Sequence, residues 1–184
     1  VTVIAAVRNP SSSEAISLSE LPTGERSRLI IVKIDASSET DGKAAVDSLS
    51  SQGVLALDVV IANAGLFDTA AFTTVAEATT SQIQTHFDVN TLGPVRLFQA
   101  TLPLLQRSSS ARFILISSLM ATIGGIKDVP LKVAPYGASK AAANYFVRKI
   151  NYENHEIATL AIDPGYGATF RLLILHEVLT NIFP

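Results

Sequence analysis

Tyr136 and Lys140 stand four residues apart in the run Tyr136-Gly-Ala-Ser-Lys140, at the start of an Ala-rich segment. On a helix that spacing puts both side chains on one face, a turn apart. A phenol with its ordinary pKa of about 10 is a poor proton donor or base at neutral pH, and a neighbouring ammonium can lower that value by ~1–3 units. The pair therefore predicts proton transfer; alone, it would read as a surface pair at a helix start. Eighteen residues before Tyr136, the apolar run Phe113-Ile-Leu-Ile ends in Ser117 and Ser118. One hydroxyl there could hold a substrate oxygen, although serines after a strand also form turns and helix caps. Asn63-Ala64-Gly65 follows another apolar run, with small residues that let a flat ligand approach the backbone, or that simply form a strand exit. Asn90-Thr-Leu-Gly93-Pro94 lies inside a long helical stretch. Pro94 lacks the N–H that would bond to the Asn90 carbonyl, so the carbonyl is free to hold a proton-relaying water, or the segment is a packing kink.

These residues need elements to position them. Five apolar runs of strand length recur, Thr2–Val7, Leu29–Ile34, Leu57–Ala62, Phe113–Ile116 and Ile157–Ile162, and they read as strands buried on both faces. Between them lie helical segments at Ser11–Leu21, Ser38–Ser51 (ending at Gly53), Thr79–Gln106 and Tyr136–Glu153. Alternation of strand and helix predicts an α/β fold with a doubly wound parallel sheet and right-handed crossovers. A ligand in such a sheet sits beyond the carboxyl ends of the strands. The residues there are Arg8, Asp35, Asn63–Gly65, Ser117–Ser118 and Asp163–Gly165.

Composition narrows the partners. The 184 residues suit one domain able to bury a real core, without repeats or a linker. Fourteen Lys and Arg against sixteen Asp and Glu give a net charge of −2, with no basic field for nucleic acid or anionic lipid. Hydrophobic residues make up 48% and charged residues only 16%, so more of this surface is expected to be covered, by a partner, a second copy or further chain. The longest uncharged apolar stretch, Phe113 to Ile126, is too short and too interrupted to span a membrane. There is no Cys and no Asn-x-Ser/Thr sequon, which leaves secretion unsupported and a cytoplasmic location expected. His86, His155 and His176 are too scattered for a metal site and read as surface or packing residues, and Met120 and the Phe positions read as core.

These elements, in this order, resemble the classical short-chain dehydrogenase/reductase family. Asn90, Ser118, Tyr136 and Lys140 match its catalytic tetrad, Asn63-Ala64-Gly65 its Asn-Asn-Ala-Gly motif, and Asp163-Pro164-Gly165 its Pro-Gly motif, over residues 1 to about 169. Val3-Ile-Ala-Ala-Val-Arg-Asn-Pro10 and the long Ser-to-Tyr interval resemble the carbonyl-reductase branch that includes fungal norsolorinic acid ketoreductases. The resemblance implies reduction of a small ketone or aldehyde by hydride from NAD(P)H. Tyr136 would protonate the alkoxide, Ser118 would hold its oxygen, and Lys140 would lower the phenol pKa and bind the nicotinamide ribose. Asn90 would hold a relay water through its main chain. Asp35 matches the adenine-contacting Asp, and Thr169 the residue that meets the carboxamide. Arg8, where an acidic residue would take the ribose hydroxyls, implies NADPH rather than NADH.

The chain also departs from that pattern. It has no Thr-Gly-x-x-x-Gly-x-Gly loop for the pyrophosphate, its numbering begins at what resembles the second strand, and Ala62 replaces the first Asn of the strand-exit motif. Only nineteen residues follow Gly165, too few for a substrate loop, helix and last strand. The expectation is a domain incomplete at both ends. The competing reading is an inactive truncated fragment, or a binding module that does not hold a dinucleotide. As written, the chain is expected neither to bind NADPH tightly nor to fold as a stable monomer, because the strand between Thr2–Val7 and Leu57–Ala62 would be missing.

Overall fold

The computed structural model describes residues 1–128 and 131–165. Strands β1 (Thr2–Val7) and β2 (Arg28–Lys33) pair in parallel, with Thr2 opposite Arg28 and Val7 opposite Lys33. Strands β3 (Val59–Ala62), β4 (Arg112–Ile116) and β5 (Ala158–Ile162) form a second parallel sheet in the order β3-β4-β5. Helices α1 (Ser13–Leu18), α2 (Asp41–Ser51), α3 (Thr80–Phe87), α4 (Gly93–Leu105) and α5 (Ala134–Glu153) alternate with the strands. No helix among the described residues is long and apolar enough to cross a membrane.

The expected elements are present, with shifted ends. Leu57 leaves the third strand because its N–H is taken by the Leu104 carbonyl at 3.1 Å. The second helix starts at Asp41 rather than Ser38, because Ser38 turns back to accept the N–H groups of Thr40 and Asp41. Helix α3 begins where Thr79 and Gln82 form a reciprocal cap. The predicted helix Thr79–Gln106 is interrupted by a five-residue π-turn, Asp88–Leu92, between α3 and α4. Helix α5 starts two residues before Tyr136, with Pro135 in the first turn, where its missing N–H costs nothing.

The expectation of strands buried on both faces holds for β4, whose Phe113, Ile114 and Leu115 are buried, and fails for β1 and β5. Among the described residues each of those two has a hydrogen-bonded neighbour on one side only, and Leu160 of β5 is 54% exposed. Phe67 and Phe72 are likewise exposed rather than core, while Phe98 and Phe113 pack edge to face at 5.3 Å inside it. The larger core lies between the three-stranded sheet and helices α4 and α5, around Phe113, Leu105 and Ile157. The smaller sits between β2 and α2, around Val32 and Leu49, and Leu57 packs against both. Apolar burial of this kind is the main favourable term holding the two sheets to their helices.

One close approach fixes α5 against the end of β4. A Cβ on Gly137 would lie 2.8 Å from the Met120 carbonyl oxygen, in the short 3₁₀ turn Leu119–Ala121. Elsewhere in a helix, Gly to Ala would gain up to about 1 kcal/mol of propensity. Here the backbone must move, so Gly137→Ala is expected to lower stability by about 1–3 kcal/mol in denaturant unfolding.

Candidate active site

The π-turn places Asn90 at the centre of the molecule. Pro94 has no N–H to give the Asn90 carbonyl in a regular α-ladder, and the chain widens instead, with the Gly93 N–H reaching the Asp88 carbonyl. The side chain of Asn90 is fully buried and fully used. Its Oδ1 accepts the N–H of Leu66 at 2.6 Å, and its Nδ2 donates to the Leu66 carbonyl at 2.9 Å and to Ser139 Oγ at 3.0 Å. Ser139 Oγ donates in turn to the Tyr136 carbonyl at 2.7 Å, and Thr91 Oγ1 donates to the Ser139 carbonyl at 2.8 Å. One carboxamide thus joins the loop after β3, the π-turn and the first turn of α5. A Cβ on Gly65 would come within 3.4 Å of both Asn90 Oδ1 and Lys140 Nζ, so the loop passes closely over them.

Tyr136, Ser118 and Lys140 come together at the carboxyl end of β4. Ser118 is extended, and its Oγ accepts the Met120 N–H at 3.2 Å, while its hydroxyl is engaged with the Tyr136 phenol, whose pKa it draws down. It serves as turn cap and candidate oxygen holder at once. Ser117 does neither; its hydroxyl donates to Asn144 Oδ1 at 2.7 Å on α5. The Tyr136 ring is half-buried, with Phe67 edge-on at 4.6 Å and His86 at 6.5 Å. Burial lifts its phenol above the ordinary value, the neighbouring Ser118 hydroxyl opposes that rise, and the charge of Asp163 adds to it.

Lys140 is buried, and its Nζ donates to the Ile116 carbonyl at 2.7 Å while lying 5.9 Å from the Tyr136 ring centre. Burial pulls its ammonium down to about 8. The expected lowering of the phenol by Lys140 is therefore not found in this arrangement: desolvation of the phenol outweighs the other influences on it, and the ammonium is turned to a main-chain carbonyl.

Arg8 and Asp35 lie exposed and partly exposed at the carboxyl ends of the paired β1 and β2. Ser37 holds the Asp35 carboxyl below its ordinary value through its hydroxyl and N–H, at 2.7 and 2.9 Å, with a smaller contribution from the Arg8 guanidinium. Asn63, Ala64 and Gly65 are exposed at the end of β3, and Pro164 and Gly165 at the end of β5. Gly165 has φ +72° and its N–H meets Asp163 Oδ1 at 3.1 Å, a turn that suits glycine. Thr169 lies outside the described residues. Small-residue backbone and hydroxyls thus lie open at the ends of β3, β4 and β5, and Arg8 with Asp35 at the ends of β1 and β2. No Thr-Gly-x-x-x-Gly-x-Gly turn for a dinucleotide pyrophosphate stands among the described residues.

Sequence reasoning missed Ser139 and Thr91, both buried. Their only signal was a small hydroxyl residue in a helix interior, which must find a partner once buried. His86 is a packing residue: its Nδ1 lies 2.8 Å from the Gln82 carbonyl and its buried Nε2 has no partner.

The short chain dehydrogenase family matches residues 1–172, and the chain belongs to that family. It is 42% identical over 171 residues to a norsolorinic acid ketoreductase of Aspergillus parasiticus, covering 91% of this chain and 62% of that protein. It is 40% identical over 167 residues to the short chain dehydrogenase gsfK of Penicillium aethiopicum, covering 89% and 64%. The chain thus spans less than two thirds of the length of these curated relatives. Among solved structures, the NADPH-bound carbonyl reductase from chicken fatty liver superposes with a TM-score of 0.78 at 28% identity, over 89% of this chain and 68% of that one.

The Lys140 geometry has a measurable consequence. Between pH 8 and about 10.4, the ordinary value of an unfolded lysine, the unfolded chain holds a proton that the folded chain has released, so stability rises with pH across that window. Below pH 8 the full cost of the buried ammonium is present. Lys140→Met is expected to flatten this rise when urea unfolding is compared at pH 7.5 and 9.5.

Proposed function

We propose that this chain carries the catalytic centre of an NADPH-dependent reductase of ketones or aldehydes. The observation that carries the reading is the convergence of the Tyr136 phenol, the Ser118 hydroxyl that interacts with it and the buried Lys140 ammonium at the carboxyl end of the central strand β4. Similarity to proteins described as ketoreductase and carbonyl reductase supports the carbonyl chemistry.

A bound nicotinamide dinucleotide supplies the hydride. Ser118 donates a hydrogen bond to the substrate oxygen, which orients the carbonyl beside Tyr136. As negative charge develops on that oxygen, the Tyr136 O–H transfers its proton to it. Because burial keeps the phenol protonated at neutral pH, Tyr136 starts the reductive step in the correct form. An alkoxide is far more basic than a phenolate, so the transfer is downhill despite the raised phenol pKa. The opposite direction needs a phenolate, which the same burial disfavours. The Lys140 ammonium stabilises the phenolate left behind and offers its remaining donors to a ribose. The π-turn directs the Asn90 carbonyl away from the helix ladder, where it can hold a water that restores the proton.

At the other end, Asp35 would contact the adenine, and the Arg8 guanidinium would pair with a 2′-phosphate through its fork of donors. Asn63–Gly65 and Pro164–Gly165 would offer the dinucleotide backbone between those ends; Thr169, which the family resemblance assigns to the carboxamide, lies outside the described residues. One observation favours the competing reading of an inactive fragment or cofactor-free binding module. Among the described residues, strand β1 is paired on one side only, and the two sheets share no hydrogen-bonded strands.

Tyr136→Phe keeps the ring and removes the proton. It is expected to cut carbonyl reduction by about 10²–10⁴-fold while NADPH binding, read by calorimetry, stays intact. A loss below about tenfold with chemistry rate-limiting refutes the role of Tyr136, and failure of the unmodified chain to bind NADPH supports the cofactor-free reading. Arg8→Asp is expected to move the ratio of kcat/KM values toward NADH; equal use of both cofactors before and after the change refutes the Arg8 assignment.

A further inference from the structure

Arg96 is largely withdrawn from solvent on α4, and its guanidinium gathers groups from three parts of the chain. Nη1 donates to the carbonyl of Ala36 at 3.0 Å and to that of Asp88 at 3.1 Å. Nη2 reaches Asp88 Oδ1 at 2.8 Å and Glu39 Oε1 at 2.6 Å, and Nε reaches the same Glu39 oxygen at 2.9 Å. Beside it, a Cβ on Gly93 would lie 3.0 Å from Ala36 Cβ and 3.2 Å from its carbonyl oxygen. Helix α4 and the end of β2 are therefore in direct backbone contact under the guanidinium.

The two carbonyls belong to functionally separate places. Ala36 follows Asp35, at the adenine end of the proposed cofactor path, while Asp88 opens the π-turn that carries Asn90. We propose that Arg96 is a positioning residue that holds the Asp35–Ala36 loop and the Asn90 turn in one fixed relation, so that one guanidinium sets both ends of the site. The proposal rests on the reading of Asp35 as an adenine contact.

A planar fork of donors is needed for this. A lysine ammonium is a single point on a flexible stem and cannot span both carbonyls and both carboxylates in this geometry. Charge pairing is the lesser part of the role, since Glu39 is 76% exposed and its ion pair is screened by water. The carbonyl contacts at Ala36 and Asp88 carry the positioning, and Gly93 allows them by bringing the backbones together.

The test compares Arg96→Met, Arg96→Lys, Glu39→Gln and Asp35→Ala in the full chain, with NADPH and with reduced nicotinamide mononucleotide, which lacks the adenosine half. Arg96→Met is expected to raise both the Kd for NADPH, read by calorimetry, and its KM about tenfold, to leave the Kd and KM for the mononucleotide within about twofold, and to lower kcat with both. Arg96→Lys, which keeps the charge and stem and guards against loss of folding, is expected to show the same split at smaller size. Glu39→Gln is expected to change neither constant by more than about twofold. An equal rise in KM for both cofactors, or no rise in either, overturns the proposal. If Asp35→Ala leaves KM for NADPH unchanged while Arg96→Met raises it, the Asp35 assignment fails and the clamp stands. If Asp35→Ala raises it and Arg96→Met does not, the clamp is overturned.

Discussion

The buried side-chain amide of Asn90 is the interaction on which the site depends. It satisfies both the N–H and the C=O of Leu66 and reaches Ser139 on α5, so the loop after β3, the π-turn and the first turn of α5 share one set of hydrogen bonds. Loss of that amide would leave a donor and an acceptor of the partly buried Leu66 backbone without their partner, while Ser139 Oγ would keep its bond to the Tyr136 carbonyl. Tyr136 and Lys140 sit on either side of Ser139 in α5, and their positions follow from it. The widened turn that frees the main chain of Asn90 and the side chain that knits three elements therefore belong to one residue.

Burial has opposite consequences for the two titratable groups of the site. It raises the phenol of Tyr136 and lowers the ammonium of Lys140 because in each case it penalises the charged form. Both shifts favour a neutral pair, which suits donation of a proton more than its removal. Only a new negative charge at the Tyr136 hydroxyl, as when a proton is handed on, makes the Lys140 ammonium valuable there.

The fold supports this site unevenly. Around β4, with strands on both sides and α4 and α5 against it, side chains are fully enclosed, and the Ser118 end of that strand is well fixed. Around β1 the support is thinner: among the described residues its one strand neighbour is β2, and the smaller core reaches the larger through Leu57. The carbonyl-end loop at Asp35–Ala36 is tied to the rest by Gly93 and Arg96 rather than by continuous pairing across the sheet.

Local apolar runs and fixed spacings were enough to read the alternation of strands and helices, the family, and the side chains expected at the carboxyl ends of the strands. Tyr136 to Lys140 at one helical turn is such a spacing, and so is the Pro94 that removes an N–H four residues after Asn90. Only the folded chain shows that Ser118 rather than Ser117 meets the Tyr136 phenol, since Asn144 lies twenty-seven residues from Ser117 and takes that hydroxyl. It alone decided the direction of the phenol shift, which depends on how deeply Phe67 and the surrounding chain bury the ring rather than on the nearby lysine. The partners of Asn90 and Arg96 were equally hidden. Hydrogen bonds that span tens of residues leave no period in the sequence, and a buried polar group declares its partner only when the chain has closed around it.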